Sequence, residues 1–100
     1  MEGGAVISNE VLASYAADAA QQVPGVRGLS DRALRRRRGV RISGEDGDVS
    51  VELRLVVDWG ASIPDVGREV QTRVREYLGR MADTSPRAVD VVIDEIGPVS

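Results

Sequence analysis

Two alternating apolar runs flank Asp46-Gly47, and together they leave residues 40–57 one good way to pair. Asp-Gly favours a two-residue type I′ loop, whose twist matches that of the strands it joins. Taken as the turn, it sets Val40 against Leu53 and Ile42 against Val51, all apolar on one side. Arg41 then faces Glu52 on the other side, an opposite-charge cross-strand pair. A slip of one residue would turn every apolar side chain outward, so the register is well specified. The second run continues with Val49, Val51, Leu53, Leu55 and Val57 inward. Ser50, Glu52, Arg54, Val56 and Asp58 point outward, and Trp59-Gly60 ends the strand.

A half-apolar hairpin needs a covering layer, and two helical patterns supply it. The first spans residues 9–22, with Ser8 as N-cap and Glu10 in the first turn, where the helix dipole favours an acid. Leu12, Tyr15, Ala16, Ala19 and Val23 form its apolar stripe, and Pro24-Gly25 stops it. Val26-Arg27-Gly28-Leu29 leads into an Arg-rich loop over residues 30–39. The second helix starts near Pro64 with Ser62 as cap, and ends within residues 80–83. Its stripe is Ile63, Val66, Val70, Val74, Tyr77 and Met81, with Glu69–Arg73 and Glu76–Arg80 as favourable i,i+4 pairs. Residues 89–94 form a last strand with Val89, Val91 and Ile93 inward.

The order is therefore α-β-β-α-β. A strand–helix–strand crossover is right-handed and makes its two strands parallel. The expected fold class is α+β: a two-layer sandwich with a mixed sheet of about three strands and both helices on one face. Residues 1–100 make one domain, with residues 1–6 expected to be disordered.

Composition narrows the function. Phe is absent and only Trp59, Tyr15 and Tyr77 are aromatic, so aliphatic side chains carry the core. Without Cys or His there is no disulfide, no thiol nucleophile, and neither the commonest general base nor the commonest metal ligand. No stretch approaches the ~20 apolar residues of a membrane span. The opening Met1-Glu2-Gly3-Gly4 lacks the basic and apolar regions of a signal peptide, which predicts a cytoplasmic protein. All 13 basic residues are Arg, as a GC-rich genome would favour. Between Arg27 and Arg41 lie seven Arg and one acid, Asp31, whereas the rest of the chain holds six Arg and fifteen acids. An acidic body carries one basic segment.

Arg35, Arg36, Arg37 and Arg38 are the sharpest feature of that segment, suited to anionic lipid, phosphate or an acidic protein surface. A solvated loop is the plainer reading. Gly25-Val26-Arg27-Gly28 matches the Gly-x-x-Gly of KH domains, so an RNA-binding module using residues 25–41 is the alternative function. The low pI argues against a general nucleic-acid binder. The carboxylates at Glu45-Asp46-Asp48 and at Asp90, Asp94 and Glu95 fit a turn and an exposed strand face, and nothing has the spacing of a cation loop. No metal, cofactor or catalytic residue is expected. Val56 and Val92, apolar on the polar sheet face, and Trp59 beside them are candidate contact residues for a second subunit or partner.

Several segments resemble the alkaline shock protein family of bacterial envelope stress response proteins. They are Ile7-Ser8-Asn9-Glu10-Val11-Leu12-Ala13, the helix exit Val23-Pro24-Gly25-Val26-Arg27-Gly28-Leu29, and Val49-Ser50-Val51-Glu52-Leu53-Arg54-Leu55-Val56-Val57 followed by Gly60-Ala61-Ser62-Ile63-Pro64-Asp65-Val66. Residues 71–81 and 89–96 resemble the family's second helix and closing strand. The resemblance implies a non-enzymatic stress response protein that self-assembles as a homo-oligomer or docks on a separate membrane-anchored protein. It would then lie at the inner face of the membrane without spanning it.

Overall fold

The computed structural model describes residues 7–30, 39–45 and 48–98. Its elements are α1 (Asn9–Gln21), β1 (Val26–Leu29), β2 (Val40–Glu45), β3 (Asp48–Val57), α2 (Ile63–Ala82) and β4 (Ala88–Ile96). The order is thus α-β-β-β-α-β, and the sheet has four strands where about three are expected from the sequence. The additional one is β1.

The hairpin has the register that its pattern dictates. Val40 pairs with Leu53, Arg41 with Glu52 and Ile42 with Val51, out to Glu45 with Asp48. The turn at Asp46-Gly47 itself lies outside the described residues. β3 has ten residues and β2 only six, so the far end of β3 needs another partner on that side. β1 fills the gap, running antiparallel with Val26 at Val57 and Leu29 at Leu55, with an irregularity between Val26 and Gly28. The amide of Ser30 donates to the Arg54 carbonyl and the Arg54 amide donates to the Gly39 carbonyl, both at 2.8 Å. In an antiparallel ladder one residue's N–H and C=O share an edge. β1 and β2 therefore lie end to end along one edge of β3. Along the other edge β4 runs parallel, from Ser50 beside Ala88 to Val57 beside Ile96. The sheet is mixed, as expected.

Both helices start where a serine caps them: Ser8 Oγ accepts from the Val11 amide and Ser62 Oγ from the Asp65 amide. After α1, Gly25 takes φ +96, and a Cβ there would sit 2.8 Å from Val66 Cγ2. Its carbonyl accepts from the Asp58 amide at 2.9 Å, tying the helix exit to the end of β3. Gly25 thus lets α1, α2 and β3 approach at one point.

The core matches the aliphatic composition. Leu12, Ala16, Ala19 and Ala20 of α1, Val66, Val70, Val74 and Leu78 of α2, and Val49, Val51, Leu53, Leu55 and Val57 of β3 are buried. Their small size on α1 lets that helix sit close. Two members of the expected α2 stripe leave the core: Ile63 is 38% and Met81 45% exposed. α2 has 20 residues against 13 in α1, about 30 Å against about 20 Å at 1.5 Å per residue, so its end turns overhang. Leu78, close to its C-terminal end, is buried instead. Tyr15 and Tyr77 meet edge to face at 5.8 Å, and Arg80 lies over the Tyr77 ring rather than forming the expected pair with Glu76.

Candidate interaction surface

The helices cover one face of the sheet, and the outward residues of β3 line the other. Glu52 accepts from Arg41 at 3.2 Å and also pairs with Arg54 at 3.6 Å. Arg54 reaches across to Asp94 of β4 at 2.9 Å, where the Asp94 carboxylate is only 15% exposed. Arg27 pairs with Asp58 at 3.3 Å at the end of this face. The outer face is therefore a row of alternating charges spanning three strands.

Val56 and Val92 interrupt that row. Val92 stands opposite Arg54 and Val56 opposite Glu95, which makes the two valines diagonal neighbours. Both are half-buried. On its other side Val56 faces Gly28, whose missing side chain leaves it uncovered there. Trp59 follows Asp58 out of the sheet and is 63% exposed, so it does not cap the core. Ile96, paired with Val57, is 47% exposed, and Ile63 opens α2 four residues after Trp59. Sequence periodicity assigned Ile63 to the core and stopped short of Ile96. The signal for both was position, since each lies where an element runs past its covering neighbour.

Among the described residues β4 has a strand on one side only. Its inward Val91 and Ile93 are half-buried, whereas Leu53 and Leu55 beside them are fully buried. Near its end one extra residue enters the strand, so that Leu55 pairs with Ile93 but Val56 pairs with Glu95. Asp90 stands opposite Glu52 on the outer face, two like charges side by side. Each described arginine has a partner: the ion pairs above, Arg68–Asp65, Arg73–Glu69 and Arg87–Asp48, the Pro86 carbonyl for Arg75 and the Tyr77 ring for Arg80. Asp90 and Glu95 have none among the described residues.

The Arg35, Arg36, Arg37 and Arg38 run lies outside the described residues. Its roots do not: the chain leaves β1 at Ser30 and returns at Gly39, both bonded to Arg54. The Gly25 to Gly28 stretch forms a helix exit and strand β1, not a loop between two helices as a KH Gly-x-x-Gly requires. Among the described residues no three acidic side chains come together as a metal site, and no helix is long and apolar enough to cross a membrane.

Comparison with known proteins gives relatives at both levels. The uncharacterized protein YloU of Bacillus subtilis (strain 168) is 26% identical over 102 residues, covering 90% of this chain and 85% of YloU. Among solved structures, the zinc form of a MamM CTD variant superposes with a TM-score of 0.62 at 19% identity, over 90% of this chain and 87% of that one. A manganese form of another MamM CTD variant gives 0.55 at 21% identity, over 86% and 96%. At such identities the likeness concerns the fold. The family model of the alkaline shock protein 23 family, described as cell envelope-related in function, matches residues 1–98. The chain belongs to that family.

Proposed function

We propose that this chain is a non-catalytic docking module of the cell envelope, working from the cytoplasmic side through association with a second copy or with a membrane-anchored partner. The observation that carries the reading is the outer sheet face. No described element covers it, and Val56 and Val92 lie within a charge row whose arginines are already held by acids. Such a face offers a fixed pattern of charge around a small apolar centre, which favours specific association over chemistry. The absence of His and Cys from the sequence supports a binding role. Residues 35–38 would add a salt-sensitive attraction to an acidic surface, and Trp59 an aromatic anchor.

Size-exclusion chromatography with light scattering tests this at low and high salt. The proteins are wild type, a variant with residues 35–38 changed to Ala, and Val56→Asp/Val92→Asp. Concentration-dependent growth in mass, lost in the valine variant and weakened by salt or by loss of the arginines, is expected. If wild type stays monomeric throughout, a pull-down from membrane fractions decides. Capture that is equal for wild type and the valine variant refutes the face as the contact.

A further inference from the structure

We infer that the free edge of β4 receives an extended segment of a partner protein, carrying two basic residues four positions apart with apolar residues between them. This edge is distinct from the outer face considered above. A strand with a neighbour on one side presents unpaired amides and carbonyls along the other, which is a template for strand addition. The regular part of β4 runs from Ala88 to Ile93, before the extra residue at Asp94 breaks the register.

The side chains along that stretch specify the occupant. On the helix side Val89 is buried, but Val91 and Ile93 remain half-open because no described strand lies beyond them. An added strand would cover them with apolar residues at alternate positions. On the outer side the sequence is Asp90, Val92, then Asp94 with Glu95. Asp90 stands opposite Glu52 with no cation of its own among the described residues, and Glu95 also lacks one there, while Asp94 is satisfied by Arg54. Basic residues at the incoming positions beside Asp90 and beside Asp94–Glu95 would be four apart, with an apolar residue midway against Val92. Charge also excludes the simplest alternative. A second β4 paired antiparallel about Val92 would set Asp90 against Asp94 twice, and like charges directly opposite are destabilising. A second copy's β2 offers one outward arginine, Arg41, which Glu52 already holds.

The test uses a dye-labelled hexapeptide with Lys at its second and sixth positions and Val elsewhere. It is titrated into the full chain by fluorescence anisotropy, with amide hydrogen exchange of β4 followed by NMR. Expected are saturable, salt-weakened binding and slowed exchange in residues 88–93. Moving the second Lys one position inward, which turns it to the helix side, should weaken binding about tenfold or more. An uncompensated charge is then placed against Ile93 in a parallel added strand or Val91 in an antiparallel one. Asp90→Lys/Glu95→Lys should lose the Lys peptide and gain the matching Glu peptide, and alternate backbone N-methylation of the peptide should abolish binding. Three outcomes overturn the inference. One is equal binding of both Lys spacings, and another is binding without a change in β4 exchange. The third is β4 exchange that slows with protein concentration alone, which makes the occupant a second copy. Val92 borders both surfaces, but Val56 lies on β3 away from this edge. Val56→Asp alone should leave the peptide bound, which lets this edge and the outer face fail or stand separately.

Discussion

Gly25 is where α1, α2 and the end of β3 approach closely, and replacing it by alanine separates two costs. Its φ of +96 is one that an L-residue adopts poorly, at about 1–2 kcal/mol. The new Cβ would also stand 2.8 Å from Val66 Cγ2 and 3.4 Å from the Ala61 Cβ. Val66 is 5% exposed, so it has little room to turn away. Overpacking of that kind adds about 1–3 kcal/mol. Gly60 provides the control, because its φ is +89 and a Cβ there meets nothing within 4 Å. Gly60→Ala should therefore cost about 1–2 kcal/mol and Gly25→Ala about 2–5 kcal/mol. Urea denaturation reads the difference directly, with slopes of about 1–3 kcal/mol per molar for a small protein. Adding Val66→Ala to Gly25→Ala should cost about 1 kcal/mol less than the two single costs together, since the methyl that clashes is gone. Equal costs for the two glycine variants, or strict additivity with Val66→Ala, would refute the close approach at Gly25.

Three further expectations follow from the same structure. Leu53→Ala, at a fully buried site in the middle of β3, should cost about 2–5 kcal/mol and lower Tm by about 4–8 °C per kcal/mol, read by calorimetry. Asp83→Gly should stabilise by up to about 1 kcal/mol in chemical denaturation, because Asp83 ends α2 at φ 51, where glycine is better suited. Arg54→Ala should cost about 1 kcal/mol, and Arg54→Ala/Asp94→Ala should fall short of additivity by about 0.5 kcal/mol in a double-mutant cycle.

What was legible in the sequence was what short-range rules govern. The hairpin register followed from Asp46-Gly47 and the alternation around it, both helix caps from a serine ahead of an apolar stripe, and the parallel placement of β4 from the crossover rule. β1 was missed because four residues containing Arg27 and Gly28, with an irregular register, carry no alternation of their own. The clue lay in the partner: ten alternating residues in β3 against six in β2 left an end unpaired. Ile63 and Met81 obeyed helical periodicity yet lie outside the core, since periodicity gives the direction of a side chain and not the extent of the layer it meets. The contact residues divide the same way. Val56 and Val92 follow from alternation, while the isolation of Asp90 depends on a register between strands that are distant in sequence.

The way β1 and β2 share one edge bears on what can be changed without disturbing the rest. Ser30 and Gly39 are held by the N–H and C=O of a single residue, Arg54, so the segment between them begins and ends at the same place on the sheet. A Cβ at Gly39 would lie 2.7 Å from the Ser30 carbonyl oxygen, so the return is as closely fitted as the departure. Doubling the length of such an excursion costs only about 0.6 kcal/mol in closure entropy, and none of the ladder on either side has to shift. The fold thus has a built-in graft point, where binding sequences of different length and charge can be exchanged on an unchanged framework.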